Sequence, residues 1–215
     1  MPPNHLKAVL FDWDGTLVDS ARASFRCYVR LFARFGLTFD EGAFHRFYSP
    51  NWQRTYRAMG LPEARWAEAD RLWLDLYSQD ESHLMPGARE ALQDVTARGL
   101  VLGLVTSGDG RRVRGELTRF GIADRFEVVL CGEDAQNRKP HPEALLLALE
   151  TLAVQAGQAA YVGDSPEDVE MARAAGVYSV GVPGGFPNQE ALRASDPDLW
   201  LTSIAELAER LPRPR

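Results

Sequence analysis

Apolar residues in this chain gather into short runs that stop abruptly at small, hydroxyl-bearing or acidic side chains, with helix-spaced apolar stripes between them. Leu100 to Thr106, Phe126 to Leu130, Ala159 to Gly163 and Tyr178 to Val182 are β-type runs. They alternate with helical patterns over Ala88 to Ala97, Arg111 to Phe120, Glu143 to Leu152 and Pro166 to Ala175, with Gly99, Gly121 and Gly176 near helix ends. Alternation of this kind predicts an α/β fold with a doubly wound parallel sheet and helices on both faces. Ala8 to Phe11 adds a strand at the start. Leu199 to Leu211 reads as a short strand and closing helix before a frayed Pro-Arg tail.

Between Val18 and His83 the period changes and no β-type run is apparent. Phe25, Tyr28, Phe32 and Phe35 recur at helical steps behind the possible caps Asp19 and Ser20, and Gly36 stops the pattern. Trp66, Asp70, Trp73 and Tyr77 continue the spacing in a second long helix after Pro62. This predicts a helical insertion over 18–84 in a core made of 1–17 and 85–215. Aromatic stripes of this sort pack as core more often than they bind ligand.

At 215 residues the chain is long enough for one main domain plus a smaller one. Its formal charge of -6 argues against electrostatic capture of nucleic acid or of anionic membrane, so an anionic ligand must be held locally. Cys27 and Cys131 lack metal-ligand spacing and indicate neither a disulfide framework nor a zinc site, which makes a reducing cytoplasm the expected setting. Met1 to His5 lacks a leader-like pattern, and no apolar run reaches membrane-spanning length. Lys and Arg total 24, yet Lys7 and Lys139 are the only lysines. Against that bias, Lys139 suggests a site that needs a compact ammonium rather than a planar fork.

The ends of the predicted strands carry the chemistry. Asp12 and Asp14 follow Ala8 to Phe11, and alternation along an extended chain predicts that both acids project to one side as a negative cage. A hard divalent ion relieves such a cage, although a turn closed by Gly15 also accounts for the pair. Thr106-Ser107-Gly108 follows the next strand, ahead of a helix whose N-terminus favours an anion. Arg138-Lys139-Pro140-His141-Pro142 follows the third, its prolines stiffening the backbone that aims Lys139. Asp164-Ser165-Pro166-Glu167-Asp168 follows the fourth: Ser165 and Asp168 form a capping box, while Asp164 is placed to join Asp12 and Asp14 around one ion.

Phe11-Asp12-Trp13-Asp14-Gly15-Thr16-Leu17-Val18-Asp19-Ser20, Thr106-Ser107, Lys139-Pro140 and Gly163-Asp164-Ser165-Pro166-Glu167-Asp168 together resemble the four ordered motifs of the haloacid dehalogenase superfamily. The likeness is greatest to the phosphoglycolate phosphatase and β-phosphoglucomutase branch. It implies a Rossmann-like core with an inserted helical cap, and a Mg²⁺-dependent phosphatase acting on a small phosphorylated metabolite as a monomer or homodimer. It further implies Asp12 as the nucleophile and Asp14 as the acid and base. Mg²⁺ would rest on the Asp12 carboxylate, the Asp14 carbonyl and Asp164, with Asp168 supporting that shell from outside. Thr106 and Lys139 would hold the phosphoryl group with Gly15, Thr16, Ser107 and Gly108. In the insertion, Asn51, Trp52 and Arg54 are candidate substrate contacts, though a helix start near Asn51 explains them as well. Trp13 is bulkier than the residue usual between the two acids and is expected to affect packing more than chemistry. The alternatives are a sugar-phosphate mutase and, behind it, a 2-haloacid dehalogenase, a class that the resemblance implies lacks an acid at the position of Asp14. Hinges are expected near Val18 to Asp19 and His83 to Gly87.

Overall fold

The computed structural model describes residues 5–211; the Pro-Arg tail and most of the stretch from Met1 to His5 lie outside the described residues. Six strands form one sheet in which every pairing is parallel: β1 (Ala8–Phe11), β4 (Val101–Val105), β5 (Val128–Leu130), β6 (Ala159–Gly163), β7 (Tyr178–Gly181) and β8 (Leu199–Trp200). Their order, β5-β4-β1-β6-β7-β8, is that of a doubly wound sheet. The helices between them are α5 (Ala88–Ala97), α6 (Gly110–Phe120), α7 (Glu143–Thr151), α8 (Pro166–Ala175) and α9 (Gln189–Ala194), and α10 (Leu207–Arg210) follows the last strand. Of these, α9 has no counterpart in the apolar pattern, because it buries only Leu192.

The central strand β1 is buried along its whole length, as a parallel strand covered on both faces must be. Val9 and Phe11 pack with Leu92 and Val95 of α5 and with Val113 and Leu117 of α6. Ala8 and Leu10 pack on the other face with Leu145 and Leu149 of α7 and with Met171 and Ala172 of α8. In register, Phe11 lies opposite Leu104 of β4 and Val162 of β6. The residues that follow these strands, Asp12, Thr106 and Asp164, therefore emerge at one edge of the sheet.

The insertion holds four helices, α1 (Ala21–Arg34), α2 (Glu41–Phe47), α3 (Trp52–Ala58) and α4 (Trp66–Tyr77), around an aromatic cluster that includes Tyr28, Phe32, Phe39 and Tyr56. The expectation of no strand in this segment is corrected by a two-stranded ribbon. β2 (Val18–Asp19) pairs antiparallel with β3 (His83–Leu84), where the chain leaves and re-enters the core. Strands of two residues are too short to display a period. The insertion rests on the core through Tyr48, whose ring stacks on Phe186 with centroids 4.7 Å apart.

Candidate active site

Asp12 and Lys139 lie on different loops, yet Lys139 Nζ donates to Asp12 Oδ1 at 2.6 Å. The same ammonium donates to Asp168 Oδ1 at 2.7 Å and to the Tyr161 hydroxyl at 2.6 Å, so its three protons are all used. Tyr161 passes its own proton to the Val105 carbonyl at 2.7 Å. Asp168 is fixed from its other side, where Oδ2 accepts from the Ser165 amide at 3.1 Å and the Ser165 hydroxyl at 2.6 Å. These contacts include the capping box that opens α8, with Pro166 at its first position.

Asp164 is 4% exposed, and its Oδ2 is buried without a hydrogen-bond partner. Gly15, at φ 78°, runs so close beneath it that an added Cβ would lie 2.2 Å from Asp164 Oδ2. Asp12, Asp164 and Asp168 bring carboxylate oxygens within 4.8 Å of one another. Three carboxylates face one ammonium, which leaves an excess of buried negative charge. Burial pushes the Asp12 carboxyl up to about 7, with Lys139 opposing and Asp168 adding to the effect. Burial likewise holds Asp164 well above the usual carboxylate range, with Asp12 and Asp168 adding to it. For Lys139, burial acts downward but is outweighed by Asp12 and Asp168, which hold it above the ordinary lysine value. An all-oxygen donor set with an unpartnered buried oxygen fits a hard divalent cation.

Asp14 does not join this cluster, contrary to the single cage expected of the pair. Strand alternation ends at Phe11, and the next residues turn back: the Trp13 carbonyl accepts from the Leu17 and Val18 amides, both at 3.0 Å. Asp14 instead meets Arg112. Arg112 Nη1 donates to Asp14 Oδ1 at 3.1 Å, and Nη2 donates to Oδ2.

A cavity of about 490 Å³ opens over both acids, walled by Thr106, Ser107, Gly108 and Lys139 from the core and by Tyr48, Trp52 and Trp73 from the insertion. The Thr106 hydroxyl accepts from the Gly108 amide at 3.1 Å. The start of α6, expected to favour an anion, already holds two carboxylates: Glu133 accepts from the Gly110 amide and Asp109 from the Arg112 amide, each at 3.0 Å. Four expected contacts fall outside the cavity wall. Gly15 supports Asp164, and the Thr16 hydroxyl is buried without a partner. Asn51 caps α3 by accepting from the Gln53 amide at 3.2 Å, and Arg54 pairs with Glu167 at 3.6 Å.

A family model for haloacid dehalogenase-like hydrolases matches residues 9–182, a span that includes every strand-end group described above. The chain belongs to that family. Among relatives of this HAD-like hydrolase, a phosphoglycolate phosphatase of Escherichia coli K12 is 33% identical, the match covering 97% of this chain and 94% of the relative. A candidate phosphoglycolate phosphatase from Haemophilus somnus superposes with a TM-score of 0.84 at 26% identity, over 95% of this chain and 97% of that one. CbbY from Rhodobacter sphaeroides, solved in complex with phosphate, gives 0.81 at 25% identity, over 94% and 96%.

Several residues of this HAD-like site gave no signal in the sequence. Tyr161 sits inside a buried strand and reads as one more apolar position. Arg112 is one arginine among many, on a helix 98 positions from its partner Asp14. Asp70 falls in the sequence within a helical stripe, yet it accepts from the Trp52 indole at 2.8 Å and lines the cavity. Arg138 lies over the Trp52 ring, 4.2 Å from its centroid.

Proposed function

We propose that the protein is a Mg²⁺-dependent phosphatase for a small phosphate monoester, phosphoglycolate-like or a sugar phosphate, acting through an aspartyl-phosphate on Asp12. The observation that carries this reading is the buried pair of Asp12 and Lys139 beside the unpartnered Asp164 oxygen, lining a cavity large enough for a metabolite. The insertion over 18–84 acts as a cap that shields the reaction from water.

Asp12 Oδ1 is engaged by Lys139, which leaves Oδ2 as the attacking oxygen. As it bonds to phosphorus, the bond from phosphorus to the ester oxygen breaks. Asp14 donates a proton to the departing alkoxide, which leaves as an alcohol. The resulting Asp14 carboxylate then takes a proton from water as the water oxygen attacks phosphorus, releasing inorganic phosphate and restoring Asp12. Lys139 and Thr106 orient the phosphoryl oxygens throughout, since positioning and charge stabilisation dominate this chemistry. Asp12, Asp164 and the Asp14 carbonyl would hold Mg²⁺, which would supply charge neutralisation and polarisation of the phosphoryl group.

A panel of phosphoglycolate, sugar phosphates, nucleotides and pyrophosphate, assayed for released phosphate with Mg²⁺ and again with EDTA, tests the proposal. Hydrolysis of a small monoester that stops in EDTA is the expected result. Undiminished hydrolysis in EDTA would contradict the metal, and isomerisation of a hexose 1-phosphate without phosphate release would replace the phosphatase with a mutase.

A further inference from the structure

We propose that Arg112 is a positioning residue for Asp14, held in place by Trp13 through Glu116, and that it links the acid of the reaction to the cap. The inference rests on the phosphatase reading above and adds Arg112 and Glu116, which lie outside the four motifs.

The guanidinium grips both Asp14 oxygens and uses Nη1 a second time on Glu116 Oε2 at 3.0 Å. A planar fork holding a carboxylate through both oxygens fixes its plane as well as its position. Glu116 is itself held on both oxygens: Trp13 Nε1 donates to Oε2 at 2.8 Å, and the Ser82 hydroxyl donates to Oε1 at 2.6 Å. Trp13 is fully buried, Ser82 is 1% exposed and Glu116 is 7% exposed. The large residue between the two acids therefore anchors the far end of a relay back to the second of them. Burial acts to lower Arg112, yet Asp14 and Glu116 keep it above the ordinary arginine value.

The same guanidinium lies 5.8 Å from the ring centroid of Trp73 and 4.9 Å from that of Tyr77, both on the cap helix α4. Ser82 directly precedes β3, the strand by which the chain returns from the cap. One network thus touches the acid, the cap helix and the cap's return strand. Displacing α4 would strip both rings from the guanidinium, so the position of the cap bears on the side chain that holds Asp14.

General acid help matters for an alkyl phosphate, whose alkoxide needs a proton, and hardly at all for p-nitrophenyl phosphate, whose phenolate leaves unaided. The test compares kcat/KM for both esters in the Mg²⁺-loaded wild type, Arg112→Ala, Arg112→Lys and Trp13→Phe. Arg112→Ala is expected to lose about 100-fold on the alkyl ester and less than about threefold on the aryl ester, mainly in kcat. Arg112→Lys recovers part of that loss. Trp13 does not line the cavity and Trp13→Phe removes its indole donor to Glu116, so a smaller loss with the same ester preference is the expected result of loosening Glu116 and Arg112. Equal losses on both esters, or a rise in KM with kcat unchanged, would overturn the proposal. Crystal structures of the wild type and Arg112→Lys give an answer without activity: an Asp14 side chain unmoved by the substitution also overturns it. Inactivity of the wild type on both esters would count against the phosphatase reading, leaving those structures to decide the positioning claim.

Discussion

Lys139 holds together two carboxylates from different elements, and no other side chain hydrogen-bonds to the Asp12 carboxylate among the described residues. Replacing it with Met leaves Asp12 and Asp168 buried without their cation. Breaking a buried pair in this way costs about 3–5 kcal/mol, to be read from urea unfolding; a loss below about 1 kcal/mol would show that the pair is solvated like a surface bridge. Lys139→Arg is expected to fold better than Lys139→Met but not to restore turnover, because a planar fork cannot aim three donors at Asp12, Asp168 and Tyr161. Asp12 and Asp164 were legible in the sequence because each follows an apolar run that needs no charge at its end, and Lys139 because it is one of two lysines, set in a proline-stiffened loop. The separation of Asp14 from Asp12 was not legible, because alternation applies only while the strand lasts.

Strands buried on both faces and helices with one buried stripe left the clearest traces. β1 and β6 have the bounds that their apolar runs predict, and α5 and α8 match their stripes from end to end. The ribbon of β2 and β3 escaped notice because its pairing is set by the return of the chain from the insertion rather than by a local pattern. Its neighbour Gly87, expected as a hinge, has a more demanding task. It stands at φ 81° ahead of α5, and an added Cβ would lie 2.5 Å from the Ala205 Cβ. Gly87→Ala is therefore expected to destabilise the fold by more than about 1 kcal/mol, measured by thermal or urea unfolding. A variant of unchanged stability but slowed turnover would restore the hinge interpretation.

At the scale of the molecule, a parallel sheet and a helical insertion meet over a concentration of buried negative charge, and that charge is expected to make stability depend on pH and on a bound cation. The Asp12 carboxyl is raised to about 7 in the folded protein, above its unfolded value of about 3.9. The folded state then binds the proton more tightly, so this contribution to stability is complete below about pH 4 and is lost as pH rises through about 7. The melting temperature of metal-free protein is expected to fall across that window, and the increase produced by Mg²⁺ to grow across it. A Mg²⁺ increment independent of pH would argue that the cation binds elsewhere. The central claim is that Asp12 carries the phosphoryl group. Its most direct test is mass spectrometry of protein acid-quenched during turnover of its best phosphate ester: a phosphoryl group is expected on the peptide containing Asp12, and none in Asp12→Asn. Steady hydrolysis with no phosphorylated peptide, undiminished in Asp12→Asn, would contradict it.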